Sequence, residues 1–222
     1  MDIARSLNTK FFKPLNSLNE DKAQHILNKR ANSKLNYVVG IFADSLKDHW
    51  EMVEDGFLYK KIALKDLNYL RELKLSYYLQ NRFFARTYDL RFDFEIPIAR
   101  KEGAEFDLSY SGKTQINGAM FKMVAGEETD AVLLERLNSK FICDRLLKLD
   151  FLDLKIKYST NDMKWKICAE SIIGSAAWNF IPPMFQVIKP TPQECILMIE
   201  LFQLILDALA SDGESKALIP DL

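Results

Sequence analysis

From residue 89 onward the chain repeatedly alternates apolar and polar residues. Asp89-Leu90-Arg91-Phe92-Asp93-Phe94-Glu95-Ile96 does so without a fault, and Pro97 ends the run. Glu105 to Tyr110 alternates again, with Phe106, Leu108 and Tyr110 on one side, and Ser111-Gly112 turns the chain. Thr114 to Val124 reads as a weaker strand bent at Gly118. Period two marks half-buried strands, because successive side chains point to opposite faces of a sheet. The clearest case is 152–169, where two alternating runs flank Ser-Thr-Asn-Asp. That pattern predicts a hairpin with Leu152, Leu154, Ile156, Tyr158, Met163, Trp165, Ile167 and Ala169 inward.

Cross-strand partners share a face, so their paired numbers must sum to an odd value. A loop centred on Thr160-Asn161 gives pairs summing to 321, with Ile156 opposite Trp165 and Leu154 opposite Ile167. Lys157 then faces Lys164 and Lys155 faces Lys166, four like charges on the polar face. Like charges directly opposite each other cost up to about 1 kcal/mol per pair. Two sources of neutralisation are open. Asp89, Asp93, Glu95, Glu105 and Asp107 lie on outward faces of other strands, or an acidic partner docks on Lys155, Lys157, Lys164 and Lys166.

Other stretches carry helical spacing. Ser17-Leu18-Asn19-Glu20 is a capping-box pattern before a helix over about 18–31, with Ala23, Ile26 and Leu27 on one side. Tyr37 to Phe42 has strand composition or forms a buried helix turn. Residues 43–60 are acidic and carry no clear period. Leu67, Leu70, Tyr77 and Phe84 recur at helical intervals, predicting a helix over about 64–84. Leu134, Leu137 and Phe141 predict another over about 129–147. Residues 174–190 combine apolar residues with adjacent prolines and read as irregular. Thr191-Pro192-Gln193-Glu194 gives three agreeing helix-start signals, and that helix runs to about Ala210. Gln193, Glu200, Gln203 and Asp207 form its narrow polar strip.

These elements predict an α+β fold: an antiparallel sheet of five to six strands with flanking helices, in two layers. Residues 1–60 form a helical extension packed on a 61–210 sheet domain, and 211–222 a flexible tail. The order from residue 64 is helix, three strands, helix, two strands, helix. It resembles the small bacterial secretion-chaperone fold over residues 64–210. That resemblance implies a dimeric, non-catalytic module that grips an extended or amphipathic protein segment.

Composition narrows the function further. Thirty basic residues balance thirty-one acidic ones, for a net charge of −1. Nucleic-acid binders usually carry a net basic field, so no nucleic acid is expected. Cys143, Cys168 and Cys195 are widely spaced, which fits a reducing compartment rather than a disulfide framework. No apolar run is long enough for a bilayer, and the N-terminus lacks a signal-peptide pattern. The chain reads as soluble and cytoplasmic, without membrane partners.

Chemistry has little to stand on. His25 and His49 are the only histidines. Asp44, Asp48, His49, Glu51 and Glu54 lack metal-ligand spacing and read as a solvated acidic segment. Cys195 falls in a helix's first turn, where a thiol can be activated, yet cysteine is also a common core residue. No glycine-rich phosphate loop or nucleophile motif occurs. No catalytic residue, metal or cofactor is expected. Trp178, Phe180, Met184 and Phe185, in a proline-stiffened segment, are the best recognition candidates, since such side chains are enriched at interface hot spots. The predicted function is a non-catalytic protein-binding or chaperone-like module, with a protein partner or self-association as a homodimer. The alternative is a small-molecule binder or enzyme with an apolar pocket between the sheet and the last helix, lined by Trp165, Trp178, Phe180 and Phe185.

Overall fold

A computed structural model describes residues 17–217 except 84, 101 and 113–115, with side chains described from 24 to 211. The capping-box side chains of Ser17 and Glu20, the Ala23 side chain and Phe84 lie outside the described residues. Among the described residues the order is α1 (Ser17–Leu46), β1 (Trp50–Gly56), β2 (Tyr59–Leu64), β3 (Glu72–Asn81), β4 (Ala85–Ile96), β5 (Glu105–Ser111) and β6 (Gly118–Ala125). A 3-10 turn, Glu128–Asp130, leads to α2 (Ala131–Leu137) and α3 (Lys140–Leu146). Then come β7 (Phe151–Ser159), β8 (Lys164–Phe180), β9 (Pro183–Val187) and α4 (Pro192–Ala217). The fold is α+β, with one open antiparallel sheet of nine strands rather than five or six. Strand order is β1-β2-β3-β4-β8-β7-β5-β6, and β9 pairs with the far end of β8.

The helices supply the second layer. Ala31, Leu35, Val38, Val39 and Phe42 of α1 form one buried stripe, as spacings of three, four and seven require. On α4, Met198, Leu201, Phe202, Ile205 and Leu209 are buried. Phe202 is the hub, with ring centroids 5.3 Å from Phe92, 4.7 Å from Phe94 and 6.2 Å from Phe151. The capping box of α4 forms as its sequence predicts. The Thr191 amide donates to Glu194 Oε2 at 2.7 Å, and the Glu194 amide to Thr191 Oγ1 at 3.2 Å.

Several segments differ from the sequence reading. Among the described residues of 64–84 there is no helix; Glu72–Asn81 is β3. Leu73, Leu75 and Tyr77 are buried while Glu72, Lys74 and Tyr78 are exposed, so period two governs. Tyr37–Phe42 is not a strand but the continuation of α1. The acidic 43–60 region supplies the end of α1, all of β1 and the first two residues of β2, so the boundary expected at residue 60 falls within the sheet. The single helix expected over 129–147 is α2 and α3, broken at Asn138-Ser139, and Phe141 is exposed rather than on the buried stripe. The helix expected to stop near Ala210 continues to Ala217. The element order behind the chaperone resemblance is therefore different here, since a strand stands where its first helix was read.

The sheet edge at β6 is closed by a side chain. Asn138 Oδ1 accepts from the Phe121 amide at 2.6 Å, and Asn138 Nδ2 donates to the Phe121 carbonyl at 3.0 Å. One amide thus satisfies both edge groups that would otherwise template another strand.

Candidate functional site

The two predicted surfaces lie on different parts of the molecule. The first is the polar face of the sheet, opposite the helices. There β7 and β8 pair with sums of 323, not 321. Tyr158 faces Trp165, Ile156 faces Ile167, and Lys157 faces Lys166. A shift of two preserves every face and changes every partner, because a four-residue loop, 160–163, is seated one step later. Met163 falls in that loop with φ +50° and is exposed rather than inward. Leu152 is also exposed, because a bulge between Phe151 and Asp153 turns Phe151 inward instead.

Each of the four lysines has a carboxylate partner within the chain. Lys157 Nζ is 2.7 Å from Glu105, Lys164 Nζ 2.6 Å from Glu95, and Lys155 Nζ 3.2 Å from Asp153. Lys166 pairs with Asp162 in the hairpin loop. Strand order brings acids beside the lysines, with Glu95 of β4 opposite Lys166 and Glu105 and Asp107 of β5 opposite Lys157 and Lys155, while Lys155 and Lys166 take Asp153 and Asp162 of their own hairpin. The sheet neutralises the like-charge pair itself. Exposed pairs of this kind are worth about 0–1 kcal/mol each, so they offset repulsion rather than build stability.

This face forms an open groove of about 1290 Å³ lined by Lys74, Arg91, Asp93, Lys155 and Glu170 among others. Cys168 lies within it, half-buried, and burial pushes its thiol up to about 12. Cys195 is fully buried, and its thiol is pushed up to about 11 chiefly by desolvation. Neither is an activated nucleophile, since activation needs a lowered thiol pKa. His49 bonds Asp66 at 3.0 Å. Among the described residues no three His, Cys, Asp or Glu side chains converge to hold a metal ion.

The second surface is the segment 174–190, which is not irregular. β8 continues to Phe180, turns through Ile181-Pro182, whose peptide bond is cis, and returns as β9. The prolines fit because Pro182 lies in the turn and Pro183 begins an edge strand, where a missing N–H costs no ladder bond. Trp178 faces Phe185 across the hairpin with ring centroids 6.5 Å apart. Phe185 also packs 5.8 Å from Tyr88, and the Arg30 guanidinium of α1 lies 5.8 Å over Trp178. These two aromatics brace the hairpin. Phe180 and Met184 are exposed at its outer end, at 40% and 42%, and Ile181 at the tip reaches 84%.

The four residues proposed to line an interlayer pocket do not converge. Trp165 is buried at the other end of β8, stacked on Phe106 at 6.2 Å and edge-on to Tyr158 at 5.4 Å. Thirteen strand residues separate it from Trp178, up to about 43 Å at 3.3 Å each. The layer beneath α4 is filled by the rings around Phe202.

This sheet with its covering helix coincides with a known sequence family: residues 45–209 match the family described as protein of unknown function, DUF3156. The chain belongs to the DUF3156 family. The DUF3156 match spans β1 to α4 and begins at the last turn of α1, although α1 contributes Leu35, Val38 and Phe42 to the core. No curated protein and no solved structure matches the chain. Among the described residues no helix of this DUF3156 protein is long and apolar enough to cross a membrane.

Sequence reasoning placed Asp89 on the polar face but missed its burial. Asp89 is on the polar side yet only 4% exposed, and burial holds its carboxyl above the usual range. Its signal was the unbroken alternation of 89–96, which hid a break in register at that residue.

Proposed function

We propose that the chain is a non-catalytic protein-binding module of the cytoplasm, acting on another protein or a second copy of itself through the β8–β9 hairpin. One observation carries the reading. Phe180, Ile181 and Met184 are exposed at the tip of a hairpin whose base is fixed by Trp178, Phe185 and Tyr88, with Phe180 on the Trp178–Phe185 face and Met184 on the other. A braced apolar tip loses little conformational entropy on binding, and clustered apolar side chains of these types are the usual anchors of interfaces. The reading rests on this hairpin and not on element order. The pairing of all four lysines within the chain supports a partner that is neither nucleic acid nor a strongly acidic surface.

The test compares the wild-type chain with Phe180→Ser/Ile181→Ser/Met184→Ser in two assays. Light scattering after size-exclusion chromatography reads self-association, and cross-linked pull-down from the native host reads other partners. A dimer or a specific partner that is lost in the variant, at unchanged melting temperature, supports the proposal. A wild-type monomer that retains the same proteins as the variant overturns it.

A further inference from the structure

Two irregularities in the sheet lie side by side on its polar face. On β4, Tyr88 pairs with Ala176 and Leu90 with Ser171, so Asp89 stands opposite residues 172–175 of β8. On β7, Phe151 pairs with Ser171 and Asp153 with Glu170, leaving Leu152 over. Bulges re-aim side chains and recur beside functional sites. Here they gather Asp89, Glu170 and Asp153 from three neighbouring strands. Asp153 and Glu170 stand directly opposite each other, an arrangement that costs stability.

Nearby groups neutralise these carboxylates only in part, and at Asp89 the Thr87 hydroxyl and the Arg82 charge act against a larger desolvation. Lys155 binds Asp153 at 3.2 Å. Arg91, opposite Glu170, turns its guanidinium to Asp93, with Nε and Nη2 at 2.9 and 2.8 Å from Oδ1. Glu170 forms no ion pair among the described residues. Its carboxyl is held above the ordinary range by desolvation, with the charges of Asp153 and Asp89 acting in the same direction against Arg91. Tyr88 and Leu90 face the core, so Asp89 is directed to the polar side, where Glu170 feels its charge. Its Oδ2 is buried there without a hydrogen-bond partner. An unpartnered buried acceptor is costly, more so when charged, and a cationic N–H donor reaching it would relieve that cost.

The geometry also selects the ligand. A point ion does not fit, because no three of these groups converge closely enough among the described residues. Carboxylates distributed over strands about 4.8 Å apart suit a cation that carries several N–H donors. Asp153 and Glu170 line the open groove and are accessible from it. We propose that Asp89, Glu170 and Asp153 form a binding site for an organic cation bearing ammonium or guanidinium groups, supplied by a polyamine or by a basic peptide side chain.

Isothermal titration at low ionic strength tests this with three probes: spermidine, a blocked Arg-Gly-Arg peptide, and Mg²⁺. The expected result is saturable binding of spermidine or the peptide, the tighter probe identifying the source. Glu170→Gln should weaken it at least tenfold, and Asp89→Asn likewise. Glu72→Gln, which removes a groove carboxylate paired with Lys61, should change it less than twofold. Absence of saturable binding by both organic probes overturns the proposal. So does equal binding by Glu170→Gln and the wild type, or Mg²⁺ binding as tightly as either organic cation.

Discussion

Replacing Trp165 by alanine tests the central packing claim. The indole is 1% exposed, lies stacked on Phe106 and edge-on to Tyr158, and carries the Arg100 guanidinium 5.2 Å above its ring. A buried aromatic side chain of this class removes about 150–250 Å² from water. At about 25 cal/mol per Å² that is about 4–6 kcal/mol of transfer free energy. A realistic unfolded chain already hides roughly 10–40% of such area, which brings the figure to about 2–5 kcal/mol. Measured losses for large aromatic-to-alanine changes in cores span about the same range. Arg100 adds to the cost, since its ion pair with buried Asp130, at 2.7 Å, is sheltered by the ring. Urea unfolding at 25 °C, followed by far-ultraviolet circular dichroism, measures the loss, and an unchanged m-value shows that both end states are comparable. A loss below about 1 kcal/mol at the same m-value would refute the assignment of hairpin faces.

Gly174→Ala should destabilise by about 1–3 kcal/mol, because φ is +89° there and a Cβ would overlap Leu90; a thermal midpoint within 1 °C of wild type, on a scale of ~2–4 °C per kcal/mol, would mean that the β8 bend is not fixed by this residue. Asn138→Ala removes both hydrogen bonds that close the Phe121 edge and should cost about 1–3 kcal/mol at roughly 1 each net. Hydrogen exchange at the Phe121 amide should accelerate, and unchanged protection would refute the edge-closing role. Glu170 has a raised folded-state pKa, from desolvation first, so the native state binds its proton more readily than the unfolded chain does. Stability from this group therefore rises as pH falls from neutral into the ordinary carboxylate range. Glu170→Gln should melt above wild type at pH 7, and the difference should vanish toward pH 4; a pH-independent difference would refute the assignment.

The hairpin at 152–169 shows how far sequence reasoning reaches. Its period placed Leu154, Ile156, Tyr158, Trp165 and Ile167 on the core face, and they are buried. Parity constrains the register only to odd sums, so the shift from 321 to 323 was invisible until the loop conformation was known. At Leu152 the alternation runs on in sequence while the backbone bulges, and opposite Asp89 the extra residues 172–175 belong to β8, because a bulge is chosen by the partner strand. The candidate lysines and hairpin aromatics were visible by type, but the carboxylate patch depends on two bulges meeting at the same level of three strands.

The amino-acid sequence alone determined the α+β class, the two faces of the long strands and the capped start of α4. Each follows from side-chain direction or capping within a few residues, and so is local. Tertiary structure decided that 72–81 is a strand, that 37–42 completes α1, and that 183–187 folds back on β8. The run 37–42 fits a strand or a helix turn, 72–81 also fits helical spacing, and the prolines mask 183–187; burial against a distant partner selects the outcome in each. Leu75 lies against Phe92 in register, Val38 and Phe42 enter the core, and Phe185 meets Tyr88. Those contacts are worth more than the propensity differences that a single-sequence reading can weigh.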